Sequence, residues 1–373
     1  MPQDPFSPLC RREILAGLAA FPLVAAWSAD RVAAQTGAPA GSLLTDLGLL
    51  PEAVLLHPGP NAPPWEIAWG DPETCGALGL GAKGPFPSWS RFQTGFALDS
   101  LAAGFDGGWA RTIGATAAQM RRFVTVAAPP VTGAILELVP AATMAVGPAL
   151  AARGIAETTV QGVTAWARGE DNAISLALRY LADPFGGAIG KSSRVRLEGQ
   201  RLIQASEWPL LAGLAGAAGP QGHADLAALC AALEDPAFAG ARQVQAIVLT
   251  DQASLSAEPA GAGLLPWRLG IFVDLSDGKT DHTAAVFSYA TRAEAEASAR
   301  RLTAAWPDAR SRMVESAFET RLPLKAIRVT GDTPAILTFH AHGENGGDPG
   351  FGNPSYRFLL QARQARDLAP FGL

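Results

Sequence analysis

Five short turn signals, each flanked by runs of apolar residues, constrain this chain more than any other feature. They are Pro129-Pro130, Gln161-Gly162, Glu198-Gly199-Gln200, Asp277-Gly278 and Gly331-Asp332. Turns this short send the chain back alongside itself, and pairs such as Asp-Gly supply the positive φ that tight hairpins need. The flanks read as the paired strands: "RRFVTVAA" with "VTGAILELV", "TTV" with "VTAWARG", "SRVRLE" with "QRLIQAS", "RLGIFVDLS" with "KTDHTAAVFSYA", and "LKAIRVT" with "PAILTFHAHG". A chain built this way is committed to antiparallel sheet.

Helices fall between the hairpins. "ATMAVGPALAARG" ends at Gly154, a helix stop, and "WPLLAGLAGA" and "HADLAALCAALED" follow later. The clearest helix is "TRAEAEASARRLTAAW". Thr291 and Glu294 form a capping box at its start, and Ala295, Ala299, Leu302 and Trp306 make a helical stripe. Glu296 stands four residues before Arg300, the spacing of a surface ion pair. "SYRFLLQARQA" closes the chain as strand or helix.

The same order of strand, turn, strand, helix and hairpin occurs twice. It predicts an α+β fold of two similar ferredoxin-like (ββα-ββ) lobes, with helices on one face of antiparallel sheets. The 373 residues are enough for two such units. Expected boundaries are a first lobe over 91–245, a linker over 246–266 and a second lobe over 267–373. Residues 35–90 are dense in Pro and Gly and read as an irregular arm, with a short helix near Leu43 to Leu50 and a strand at Trp65 to Trp69. A plait of this kind hosts many functions, so it fixes no chemistry.

Composition excludes some classes. Apolar residues make up 48% and charged residues 17%, which rules out wholesale disorder. The net charge is −5 with no basic stripe, so a nucleic-acid groove lacks its electrostatic footprint.

The N-terminal segment "PLCRREILAGLAAFPLVAAWSADRVAAQ" pairs Arg11 and Arg12 with an apolar run from Ile14 to about Ala26. That run is shorter than the ~20 residues of a comfortable membrane span. Val32-Ala33-Ala34 before Gln35 suits a cleavage site. The order Arg11-Arg12-Glu13-Ile14-Leu15 resembles the twin-arginine export signal, Ser-Arg-Arg-x-Phe-Leu-Lys, and departs from it at Cys10, Ile14 and Ala16. The resemblance covers residues 1–34 and implies a periplasmic or secreted protein with no membrane span in the mature form. Ordinary secretion is the alternative route. Many twin-arginine passengers carry a cofactor inserted before export, so glycine-rich segments are weighed with care.

Two such segments imitate nucleotide loops. In "DPFGGAIGKSS", Gly190-Lys191-Ser192 ends like a phosphate loop, but Phe185 stands where the first glycine belongs. The residues after it, "RVRLE", alternate like a strand, whereas an anion cradle needs a helix there. A glycine loop entering a hairpin is expected. Gly79-Leu80-Gly81-Ala82-Lys83-Gly84 matches the dinucleotide fingerprint in form, yet Pro85 and Pro87 prevent the helix that must follow. Neither segment implies a cofactor.

The strongest chemical candidate is "LTFHAHGENGGD". On a strand Thr338, His340 and His342 share one face, opposite Leu337, Phe339 and Ala341. Two such imidazoles reach one metal, with His282 as a third nitrogen and Glu344 or Asp348 as oxygen ligands; zinc or copper suits them. The alternative is the solvated face of an amphipathic strand. Trp65, Trp69 and Trp89 are candidates to line a ligand groove, against core or interface anchoring. Cys75 and Cys230 are candidates for a disulfide, against two buried thiols. Asp274, Asp277 and Asp281 lack the ligand order of a calcium loop. No Gly-x-Ser-x-Gly elbow occurs. The sequence therefore points to an exported envelope protein of binding type that engages a protein partner or a small ligand, with no cofactor and no nucleic acid. A metal-binding protein or metal-dependent hydrolase built on His340 and His342 is the alternative.

Overall fold

The structure, a computed structural model of the chain, describes residues 42–56, 63–80, 91–93, 97–98, 107–216, 223–238, 240–250, 263–344, 352–368 and 371. The expected export signal lies outside them, as do Trp89, Asp348 and most of the 79–84 glycine segment.

One 12-stranded sheet carries the whole body. Its strands are β1 (Glu66–Gly70), β2 (Met120–Ala128), β3 (Val131–Leu138), β4 (Ala156–Val160), β5 (Val163–Arg168), β6 (Ser193–Glu198), β7 (Arg201–Ala205), β8 (Arg242–Leu249), β9 (Leu269–Ser276) and β10 (Thr280–Tyr289). A small pair, β11 (Arg310–Ser311) and β12 (Ser316–Ala317), stands apart; β13 (Leu324–Thr330) and β14 (Ala335–Glu344) complete the main sheet. The order across it is β13-β14-β10-β9-β8-β1-β2-β3-β7-β6-β5-β4, every neighbour antiparallel.

All five expected turns join paired strands. Gln161 (φ 51°) and Gly162 (φ 82°) both take positive φ between β4 and β5, and Gly278 (φ 88°) turns the β9–β10 hairpin. β6 runs extended directly after Ser192, as the alternation of "RVRLE" requires. The helix read at 291–306 is α8 below, and its capping box is present.

The arm is where the expectation fails. β1 is a central strand: Ile67 pairs with Val126 of β2 on one side and with Val248 of β8 on the other. Its residues Ile67, Ala68 and Trp69 are all buried, so the Pro-rich flanks lead the chain into the core. The expected lobe boundary at 245/246 falls inside β8, which pairs with β1 and β9 alike.

Helices cover both faces of the sheet, which corrects the one-face expectation. The helices are α1 (Ser42–Leu47), α2 (Glu52–Leu55), α3 (Pro72–Ala77), α4 (Gly108–Ile113), α5 (Pro140–Ala152), α6 (Trp208–Gly216), α7 (Ala224–Ala232), α8 (Arg292–Ala305), α9 (Phe318–Arg321) and α10 (Pro354–Gln364). On one face Ile67, Trp69, Val124, Ile203, Val248, Ile271 and Val286 meet α1, α6 and α7 in a single apolar cluster. On the other face, the cluster around Phe123, Leu136 and Leu202 lies under α3, α4 and α5. Phe272, Phe287 and Phe339 lie there under α8 and α10 in a separate cluster. The physical reason is in the strands: β9 and β10 are apolar at successive positions, so both of their faces need cover. Arg292 of α8 takes Glu296 at 2.8 Å, the ion pair read from sequence for Arg300.

Candidate functional site

Successive residues of β10 face opposite sides, and Asp281 and His282 open two different polar sites. On the Asp281 side, between the two apolar clusters of that face, Arg91 is held by Asp274 in a two-pronged pair. Nε donates to Oδ2 at 2.7 Å and Nη2 to Oδ1 at 2.6 Å. Nη2 also donates to Asp281 Oδ1 at 3.1 Å. Gln245 Nε2 donates to Asp274 Oδ2 at 3.0 Å, and Asn353 Nδ2 to Asp274 Oδ1 at 2.9 Å. Arg91, Asp274 and Asp281 are all buried. Burial works against the charge on Arg91, but Asp274 and then Asp281 outweigh it and raise its pKa. Burial raises the Asp281 carboxyl, which Arg91 only partly offsets. A cleft of about 450 Å³ touches this network and is lined by Asp281, Thr320, Arg321, Ser355, Arg357 and Gln361 among others.

On the other side stand the expected histidines. β10 and β14 pair His282 with His342 and Ala284 with His340, which puts three imidazoles on one face. His282 Nδ1 lies 3.0 Å from His340 Nε2, a hydrogen bond whose direction depends on the tautomer. The solvated-face alternative fails here, because Phe238, just beyond α7, sits 4.4 Å from the His340 ring and covers it. Burial first, then His282 and His342, push the His340 pKa down to about 4. His282 is lowered too, by burial, although Asp277 works the other way. Nδ1 of His340 and of His342 are buried without a hydrogen-bond partner. Among the described residues no group of three or more His, Cys, Asp or Glu is arranged to hold a metal ion. The Glu344 side chain and Asp348 lie outside the described residues.

Trp65 and Trp69 share one apolar cluster, Trp89 lies outside the described residues, and the two cysteines are not brought together. Trp69 is fully buried and its Nε1 donates to Asp46 Oδ2 at 2.8 Å, while Trp65 packs half-buried at the rim of the same cluster. Both anchor the core. Cys75 and Cys230 are separate thiols, not a disulfide. They belong to clusters on opposite faces of the sheet, and burial pushes both up to about 12.

The third site is the glycine segment itself. Between β5 and β6 the chain folds back as a two-ply loop, 173–192. Ser175 N donates to Gly190 O at 3.0 Å, Tyr180 N to Gly187 O at 2.9 Å and Ser192 N to Ala173 O at 2.8 Å. The glycines are there because the plies touch. A Cβ at Gly190, where φ is +67°, would meet Ser175 O at 1.9 Å, and one at Gly187 would meet Tyr180 O at 2.2 Å. Lys191 turns inward and donates to Thr132 Oγ1 at 2.9 Å, and Ser192 Oγ donates to Ser206 O at 3.0 Å. Neither is available to a phosphate. Asp183 is buried at the base, clamped by Arg168 at 2.6 Å and Arg153 at 3.0 Å. The apolar side chains point outward: Leu176 is 76% exposed, Ile174 and Leu181 are 61% exposed, and Leu178, Tyr180 and Ile189 stand out with them. The sequence does carry a signal for this, since "ISLALRYLADPFGGAI" is apolar without a period of 2 or 3.6.

No protein-family model matches the chain, and no curated protein matches it. Two solved structures, crystal forms I and III of TP0453, are similar to it at 9% identity. The first covers 86% of this chain and 96% of that one with a TM-score of 0.36. The second covers 84% and 98% with a TM-score of 0.35.

Proposed function

We propose that this chain is an exported envelope protein of binding type, which engages its partner through the 173–192 loop rather than by turning over a substrate. One observation carries the reading: of the ten large apolar side chains exposed among the described residues, six lie in this loop. Isolated exposed leucines are ordinary, whereas a cluster on one ordered loop marks a contact surface. The export part rests on residues 10 to 34, through their likeness to the twin-arginine signal, and makes the protein periplasmic or secreted.

Site-directed photocrosslinking tests it. A Leu176→Cys variant labelled with a benzophenone maleimide is irradiated in envelope extract. The variant and its polar control both carry Cys10→Ser, and the buried, high-pKa thiols of Cys75 and Cys230 compete poorly for the label. Adducts are expected at position 176 and not at a polar control such as Thr330→Cys. Equal yields at both positions would sink the reading.

Metal binding is the second reading, and the buried Nδ1 atoms of His340 and His342, which have no hydrogen-bond partner, favour it. Zinc or copper found in stoichiometric amount in the purified protein, and lost in a His340→Ala/His342→Ala variant, would establish it.

We also read the two halves as copies of one ββα-ββ unit, the duplication of a ferredoxin-like lobe. The sheet order supports this, because β9-β10-β14-β13 in one half matches β2-β3-β7-β6 in the other. A helix, α8 or α5, follows the second strand in each case.

A further inference from the structure

We propose that the 173–192 loop docks on the interfacial layer of a lipid bilayer, with anionic headgroups beside it; this rests on the binding role proposed for the loop. The first ground is shape. The loop lies on the body, seated by buried Asp183 and Phe185, and turns apolar side chains outward, Ile174, Leu176 and Leu181 from one ply and Ile189 from the other. An outward apolar layer of this kind suits a bilayer interface, which needs no pocket shaped to receive it.

The second ground is the backbone. Polar main-chain groups that enter a lipid phase must find partners within the protein. Here Ser175, Leu178, Arg179, Tyr180, Asp183, Ile189, Gly190 and Lys191 all donate their amides to carbonyls of the same loop. The fold that the glycines permit thus pairs these amides internally around the leucines, those of Leu176 and Leu181 not among them.

Charge is the third. Asp183 is the only acid from 172 to 192, and it is buried between Arg153 and Arg168. Arg179 is exposed and has no ion-pair partner among the described residues. The loop therefore offers an anionic surface one uncompensated cation, with Glu170 and Asp171 exposed just before it and Asp171 paired to Arg194 at 2.7 Å. Tyr180 stands beside it, half-exposed, with the Arg153 guanidinium 5.1 Å from its ring centre. An amphipathic ring next to a cation, above a set of leucines, is the composition of an interfacial anchor. The protein as a whole is acidic, with net charge −5, so the loop is a local exception.

Vesicle flotation with the purified chain tests this, using phosphatidylcholine vesicles with and without phosphatidylglycerol. Leu176→Ser/Leu181→Ser lowers partitioning about a hundredfold, or roughly tenfold per leucine. Arg179→Gln lowers it about fivefold, and only on the vesicles with phosphatidylglycerol. Because the apolar N-terminal run is common to all variants and could mask these losses, a second readout looks at the loop alone. In a Cys10→Ser background, an environment-sensitive dye on Leu176→Cys shifts its emission to the blue on adding vesicles and is quenched by lipid-borne quenchers. No shift and no quenching would overturn the inference. If benzophenone at 176 then captures a protein in envelope extract, the binding role survives and the bilayer does not. Loop-dependent self-association in ultracentrifugation, with no dye shift, would overturn the inference in favour of a second copy of the chain.

Discussion

The two halves solve the same connection in opposite ways. After α8, the path back to the sheet buries Trp306, Phe318 and Leu322 and leaves only Met313 and Val314 partly outside, at 38% and 36% exposure. After α5, the path to β6 buries Asp183 and Lys191 beside a single large apolar group, Phe185, and leaves six large apolar side chains outside. An apolar interior gains from leaving water and tolerates small shifts of position. A polar interior gains little, yet it fixes geometry, because each buried charge needs its partner in place. The first half has therefore given up hydrophobic gain at this loop in return for a fixed backbone that holds leucines in water. The contact proposed for the loop would cover them.

The comparison breaks most readily at the buried charges. Asp274→Ala leaves Arg91 without its two-pronged partner and strips acceptors from Gln245 and Asn353. The expected cost is about 3–5 kcal/mol, seen as a lower urea midpoint with an unchanged slope. A loss under about 1 kcal/mol would show that this network is no more than ordinary surface pairing.

The histidine face gives the next effect. Its folded pKa is pushed down to about 4, so His340 stays neutral in the fold while the unfolded chain takes up a proton below about 6.5. Its contribution to stability is full above pH 6.5 and is lost as the pH falls toward 4, by up to roughly 3 kcal/mol. Burial of Asp46 raises that carboxyl to about 6, which acts in the opposite sense over the same range. The clean measurement is the difference between the wild type and His340→Gln, whose stability gap should narrow steadily from pH 7 to 4. A constant gap would mean that the ring is open to solvent and protonates normally.

Gly190→Ala sharpens the contrast inside the loop. Its Cβ would strike Ser175 O, at a φ that costs other residues about 1–3 kcal/mol. Hydrogen exchange should then speed up at Ser175 and Tyr180, the amides that tie the plies, and not at β9 or β10.

What the sequence disclosed and what it hid divide along the range of the forces. Hairpins were legible because Gln161-Gly162, Asp277-Gly278 and Gly331-Asp332 set their own φ angles. The start of α8 was legible because Thr291 and Glu294 cap it within one turn. The shared face of His340 and His342 followed from alternation, but its cover, Phe238, comes from an element about a hundred residues away. Arg91 and Asp274 lie 183 positions apart and have no local signature. β1 was read as a strand, yet its place between β2 and β8 is set by pairing that no short window contains. The glycines of 186–190 announce a loop, but that they serve close approach is shown only by the opposite ply.

The smallest effect on stability bears most on the comparison. Leu176→Ser removes a side chain that touches little, so the folded state should change by no more than about 0.5 kcal/mol. Leu322→Ser, at the buried counterpart in the second half, should instead cost several kcal/mol, since a hydroxyl would replace a fully buried side chain. Paired melts of these two variants read the difference directly. If Leu176→Ser destabilised the protein as Leu322→Ser does, the loop's apolar groups would belong to the core. The case for a partner would then be lost, because the first half would be closed in the same way as the second.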